Sequence, residues 1–209
     1  MNIEAFVQPI FTSSFIIFKN LNLNNEEILK EFEQVPYDTT FLNNECENRA
    51  LKSSSIKILD EIKSGEKIKE KVNKCLNISI KEIWKYDVEH TIINSWVTKT
   101  YPNCDSRLHN HKNFWLSAVY YPFSPGKFKI NFASDRYDLT SYAVNTIEHN
   151  EYNCTGWDYE VCTGDLIVFS SGLMHKICAN TTKDIRYSLA MNILPKGNIG
   201  KNDSSLVIL

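Results

Sequence analysis

Beyond an opening extended segment, apolar positions are spaced like helix faces over much of the first 86 residues and gather into short, turn-bounded runs after that. The opening segment, Ala5 to Asn20, is rich in β-branched and aromatic residues without a helical stripe and reads as an extended stretch or strand. Asn24 and Asn25 can cap a helix from about Glu26 to Gln34, with Ile28, Leu29 and Phe32 on one face and Pro36 as the stop. Ser53 to Trp84 reads as helical. Ile56, Leu59 and Ile62 share one face there. After a break at Ser64-Gly65, Ile68, Val72 and Cys75 to Leu76 share another.

The period then changes. Thr91 to Val97, Leu116 to Phe123, Phe128 to Phe132, Leu166 to Phe169 and Ile185 to Ile193 are runs of Val, Ile, Tyr, Phe and Trp. Turn residues separate them at Pro102-Asn103, Ser124-Pro125-Gly126, Thr163-Gly164-Asp165 and Pro195-Lys196-Gly197. Short strands at such spacing predict a sandwich or jelly roll. The chain therefore reads as one α+β domain, 1–209, in which a mainly helical support (1–86) packs on a β body (87–209). The apolar tail, Leu206-Val207-Ile208-Leu209, is either a last strand or a contact for a second subunit of a homodimer.

Composition narrows the function. With 43% hydrophobic and 12% aromatic residues the chain can bury a full core. Its net charge of -2, with acid and base interspersed, argues against a surface for long nucleic acids. No apolar run approaches the roughly 20 residues of a bilayer span, and no leader pattern opens the chain, so a cytoplasmic protein without a membrane partner is expected. Six cysteines without a C-x-x-C pair read as free thiols.

The candidate chemistry lies in two clusters. His109-Asn110-His111 precedes the run from Trp115 to Tyr121, and alternation along an extended segment points both imidazoles the same way. Both can then reach one ion at about 2.0–2.2 Å. Further on, Gly164-Asp165 opens a strand, a loop delivers His175, and Arg186-Tyr187-Ser188 follows eleven residues later. Arg186 and Ser188 face opposite to Tyr187 and Leu189. A guanidinium on an inward face needs a counter-charge, and a ligand carboxylate held bidentately is one partner, with the Ser188 hydroxyl as a further donor. Plainer readings exist for each. The two histidines suit a surface loop, Arg186 can bridge to Asp184, and Trp96, Trp115 and Tyr120 suit the core. The Tyr120 hydroxyl is nevertheless a candidate cosubstrate contact.

Taken together, these stretches resemble the iron(II)/2-oxoglutarate-dependent dioxygenases, in particular a prolyl-hydroxylase-like branch. The matching residues are Asn94-Ser95-Trp96, His109-Asn110-His111, Trp115 to Tyr121, Phe132 with Asp135-Arg136, Gly164 to Phe169, His175, and Arg186 to Asn192. The resemblance covers about half of the chain. It implies a double-stranded β-helix (jelly-roll) core with N-terminal helices on the sheet. It further implies iron(II) held by His109, His111 and His175, and 2-oxoglutarate anchored by Arg186 and Ser188. The activity would be a hydroxylation or other oxidation using O2, with release of succinate and CO2. One departure stands out: most of the superfamily has Asp where this chain has His111. Asp105 and Asp135 are the competing carboxylates. Two other readings remain open. One is a cupin-like three-histidine dioxygenase that needs no cosubstrate. The other is a non-enzymatic jelly-roll binding module. The substrate is expected to be a small molecule or peptide.

Overall fold

Arg186–Ile199 is a 14-residue strand, and its side-chain alternation organises the molecule. The computed structural model describes residues 13–38, 50–124, 126, 128–134 and 145–208. Within them the chain forms β1 (Phe15–Phe18), α1 (Asn25–Gln34), β2 (Leu51–Lys52), α2 (Ile58–Glu61), α3 (Gly65–Asn77) and a π-helical turn (Ile78–Ile83). It continues through β3 (Glu89–Thr100), β4 (Leu116–Phe123), β5 (Phe128–Ala133), β6 (Gly156–Val161), β7 (Leu166–Ser170), β8 (Met174–Ile177), β9 (Arg186–Ile199) and β10 (Leu206–Ile208).

Two antiparallel sheets result. The larger has the order β1-β7-β4-β9-β3-β2, with β10 paired to the end of β9, and the smaller has the order β6-β5-β8. Because alternate side chains leave opposite faces of a strand, the large sheet contributes to two cores. Its outer face presents Val97, Ala118, Tyr120, Val168, Leu189 and Met191 to the helices, which bury Ile28, Phe32, Ile68, Val72 and Leu76 against it. Each fully buried side chain of this size contributes about 1.5–3 kcal/mol, so the helices are held by the sheet more than by propensity. The inner face presents Val119, Ile167, Phe169 and Ala190 to Phe128, Ile130, Phe132 and Val161 of the small sheet. The molecule is thus layered helix, sheet, sheet, and the space between the sheets holds the site.

Local chemistry accounts for most boundaries. The Asn24 side chain accepts from the Glu27 amide at 3.4 Å and caps α1, a contact type typically worth ~1 kcal/mol. Gly164 sits at φ +88°, where an L side chain is strained, and its amide donates to the Tyr121 carbonyl at 2.7 Å to launch β7.

The structure differs from the sequence pattern in several places. The helical support is interrupted. Ser53 bridges to Tyr37 and Lys57 to Ser95, so helix begins only at Ile58. Ile56 is exposed, while Ile58 is buried. Pro195-Lys196-Gly197 is not a turn, because β9 runs through it to Ile199 and pairs with β10. The tail is therefore a strand, with Leu206 and Val207 exposed. Residues 5–12 of the first predicted strand lie outside the described residues. Among the described residues the cysteines are free, and no helix is long and apolar enough to cross a membrane.

Candidate metal centre

His175 lies on β8 rather than on a loop, with its side chain turned inward and 4% exposed. His109 forms an isolated antiparallel bridge to it. The His109 amide donates to the His175 carbonyl at 2.9 Å, and the His175 amide donates back at 2.8 Å. Two residues on, the His111 amide donates to the Ser171 carbonyl at 2.8 Å. The segment 109–111 is thus not a long strand, yet these three bonds impose strand-like alternation and place both imidazoles beside the third. Ring centroids are 4.4 Å apart for His109 and His175, 5.1 Å for His111 and His175, and 5.3 Å for His109 and His111. One ring nitrogen from each lies within 4.8 Å of the others.

Hydrogen bonds settle which nitrogen each ring offers. Nδ1 of His109 meets the Arg107 carbonyl at 2.7 Å, and Nδ1 of His175 meets the Leu173 carbonyl at 2.9 Å. Nδ1 of His111 meets Asn192 Oδ1 at 2.5 Å. All three partners are acceptors, so each Nδ1 carries the proton and each Nε2 keeps its lone pair. Burial lowers the pKa of all three rings, that of His175 to about 3. The rings are therefore neutral near pH 7, and three convergent lone pairs fit a divalent cation of the kind imidazole favours. Asn192 is itself held: Ser117 Oγ donates to its Oδ1 at 3.4 Å and contacts Ser171 Oγ at 2.8 Å. Asn192→Ala frees the His111 ring and is expected to weaken nickel(II) binding about 10–100-fold, checked by metal titration of the apoprotein.

A second polar group lies deeper in the chamber. Arg186 is fully buried, with its guanidinium over the Phe128 ring at 3.0 Å from the centroid and 5.6 Å from that of Tyr121. Among the described residues none of its three nitrogens has a hydrogen-bond partner, and the buried hydroxyls of Tyr121 and Thr100 also lack one. Thr100 stands directly opposite Arg186 in the β3–β9 pairing, and Ser188 follows on the same face of β9, 1% exposed. Burial pushes the guanidinium down to about 9, so it stays charged at pH 7, and the Tyr121 phenol up to about 12. Asp184 is exposed and makes no ion pair with Arg186 among the described residues.

The structure corrects the placement of Tyr120. Its ring packs on the helical side of the large sheet, and its hydroxyl donates to Asn25 Oδ1. The hydroxyl facing the chamber is that of Tyr121, which the sequence reading passed over. Strand β4 is buried on both faces, so no polar alternation marks which residues point inward.

Of the competing carboxylates, Asp105 is exposed and is not among the clustered ligand groups, and Asp135 lies outside the described residues. His90 bonds Asn73 through Nε2, away from the cluster. Trp115 meets Tyr86 on the helical side. Trp96 instead belongs to the site, stacked on His111 at 5.4 Å between centroids.

Residues 94–192 match the model of a family described as "Putative 2OG-Fe(II) oxygenase". No curated protein matches the sequence. Among solved structures, HygX from Streptomyces hygroscopicus, crystallised with nickel, 2-oxoglutarate and hygromycin B, is similar at TM-score 0.62 and 12% identity, over 88% of this chain and 84% of that one. SnoN, a non-haem α-ketoglutarate-dependent epimerase from nogalamycin biosynthesis, is similar at TM-score 0.63 and 9% identity, over 87% and 76%. A Trichoplax adhaerens prolyl hydroxylase in complex with a hypoxia-inducible-factor peptide is similar at TM-score 0.59 and 10% identity, over 88% and 84%. At these identities the likeness speaks for the fold. That fold, with three convergent imidazoles between its sheets, defines a double-stranded β-helix protein with a non-haem metal site. Over residues 94–192, a little under half of the chain, the sequence is similar to the 2OG-Fe(II) oxygenase family, and the three-histidine cluster lies within that stretch.

Proposed function

We propose that this chain oxidises a small-molecule or peptide substrate, with His109, His111 and His175 as the iron(II) ligands and Arg186 as the anchor of 2-oxoglutarate. The observation that carries the reading is the buried Arg186, without a counter-charge among the described residues, beside the hydroxyls of Tyr121 and Thr100, which have no partner among them either. An unpaired buried guanidinium costs several kcal/mol. A carboxylate arriving with the cosubstrate would remove that cost, held bidentately by the guanidinium and by hydroxyl donors from Tyr121, Thr100 and Ser188. The two poles lie at different depths. Phe132 is near His175 and Phe128 lies under Arg186. They are four residues apart on one strand, so the histidine cluster and the guanidinium are set apart along β5, and a diacid can meet one with each end. A dioxygenase that uses O2 alone, or a binding module with a closed metal site, leaves Arg186 unexplained.

Iron(II), when bound, supplies the redox chemistry with O2. The balanced reaction converts one substrate C–H, one O2 and one 2-oxoglutarate into substrate C–OH, succinate and CO2. The chain's own share is positional. The three Nδ1 protons fix the rings, Arg186 fixes the cosubstrate, and Phe128, Phe132 and Phe169 exclude water from the chamber floor. The test is incubation with iron(II), ascorbate and 2-oxoglutarate. Metal-dependent succinate formation supports the reading, and a protein that neither forms succinate nor is thermally stabilised by 2-oxoglutarate with metal overturns it.

The tyrosine pair gives a contrast within one strand. Tyr121→Phe is expected to raise the 2-oxoglutarate requirement about tenfold, as for one lost hydrogen bond to a charged group. Tyr120→Phe should leave that requirement unchanged and lower only stability. Steady-state succinate assays over a range of 2-oxoglutarate concentrations check both.

A further inference from the structure

We propose that Lys52, set by Trp96 beside the metal centre, is a specificity residue that recognises a substrate oxyanion, a carboxylate or phosphate on a small molecule or peptide. This rests on the oxygenase reading above and adds the chemical class of its substrate.

Placement comes first. Lys52 pairs with Thr98 across β2 and β3, and Trp96 lies two residues further along β3, opposite Ala190. Ala190 belongs to the inner core, so this row faces the chamber. The Lys52 ammonium sits 4.3 Å from the Trp96 ring centroid, and the same indole stacks on His111 at 5.4 Å. The sum of those two distances bounds how far the ammonium can lie from the His111 ring. Trp96 thus fixes a cation near a metal ligand without itself carrying charge.

Charge bookkeeping then asks for an anion. Among the described residues no carboxylate lies within ion-pair distance of Lys52, although Lys19, Lys69, Lys74, Lys81 and Lys129 all have such partners. Between Cys104 and Leu116 the chain carries two bases, Arg107 and Lys112, against one acid, Asp105. The segment that carries His109 and His111 is therefore net basic in a chain of net charge -2. Three imidazoles bring no charge to the centre, whereas the usual two-histidine, one-carboxylate set brings one negative charge. A divalent ion and a dianionic cosubstrate cancel each other, and Arg186 is engaged with that cosubstrate. Lys52 is left as a cation beside the reacting centre with no protein counter-charge among the described residues. A substrate oxyanion completes the site, and the ammonium orients the substrate relative to the metal.

The test uses nickel-loaded protein, with and without N-oxalylglycine, titrated with phenyl phosphate, benzoate and neutral phenol while tryptophan fluorescence is followed. Lys52→Arg, Lys52→Ala and Lys52→Glu are compared with wild type. The expected result is that one or both anions bind more tightly than phenol, that Lys52→Arg retains this, and that Lys52→Ala and Lys52→Glu weaken it at least tenfold. The response to phosphate against carboxylate identifies which oxyanion is preferred. Equal binding of phenol and both anions by wild type, or undiminished anion binding by Lys52→Glu, overturns the proposal. Folding and the cosubstrate site are followed separately through the N-oxalylglycine-induced rise in melting temperature. If wild type lacks that rise, the 2-oxoglutarate reading falls, and the Lys52 comparison is still decided by the nickel-only titrations.

Discussion

Arg186→Met is expected to move two quantities in opposite directions: thermal stability without cosubstrate rises, and the response to 2-oxoglutarate disappears. Both follow from a fully buried guanidinium without a hydrogen-bond partner among the described residues. Replacing a buried charge by an apolar side chain of similar volume is often neutral or stabilising, and here no carboxylate among the described residues loses its partner. The cosubstrate does lose its partner. Truncating one side of a buried charged pair costs about 2–5 kcal/mol, and 1.4 kcal/mol is a factor of ten. The 2-oxoglutarate concentration for half-maximal succinate formation should therefore rise roughly thirtyfold or more. A melting curve and a cosubstrate titration on the same preparation check both. An arginine serving only the fold would give the reverse, a less stable variant with normal 2-oxoglutarate binding.

His175→Ala is expected to abolish metal binding at micromolar nickel(II) and reduce succinate formation below detection. His175 is the most deeply placed of the three rings, packed against Phe169 at 4.8 Å, and its Nδ1 is committed to the Leu173 carbonyl. Two remaining imidazoles form an incomplete set for a divalent ion. The variant should keep its fold, because the backbone bonds between positions 109 and 175 do not use the side chain. Far-ultraviolet circular dichroism checks that, and metal content by mass spectrometry checks the loss. His111→Asp should behave differently and retain metal, because it restores a carboxylate at a position whose backbone is already fixed by Ser171. Loss of metal in His111→Asp, with the fold intact, would mean that the pocket is shaped for an imidazole.

Much of this centre was legible in the sequence because its signals are local. His109 and His111 are two apart, and two is the repeat of an extended chain. Arg186 and Ser188 alternate with Tyr187 and Leu189, and the structure places each pair on opposite sides of β9. What escaped depends on contacts between distant segments. Tyr121 was missed because β4 is apolar on both faces, and only its pairing with β7 and β9 decides which residues point inward. Strand β8 is four residues long and β2 two, too short for any period to register. Strand β6 was readable after all: Trp157, Tyr159 and Val161 alternate with Asp158 and Glu160, the usual mark of a half-buried strand. The helical support was over-read because Ser53 and Lys57 are drawn into bridges that no helical spacing reveals.

Strand β9 carries Arg186 at one end of the chamber and Asn192, the holder of His111, six residues along at the other. Both ends of the proposed machinery hang from one backbone clamped between β3 and β4. A slip of that backbone by a single residue would turn anchor and ring-holder outward together, so an insertion or deletion inside β9 should silence the protein at a stroke. Substitutions at Lys52, by contrast, leave that backbone untouched, and selection can retune what enters the chamber without disturbing the proposed oxidation chemistry.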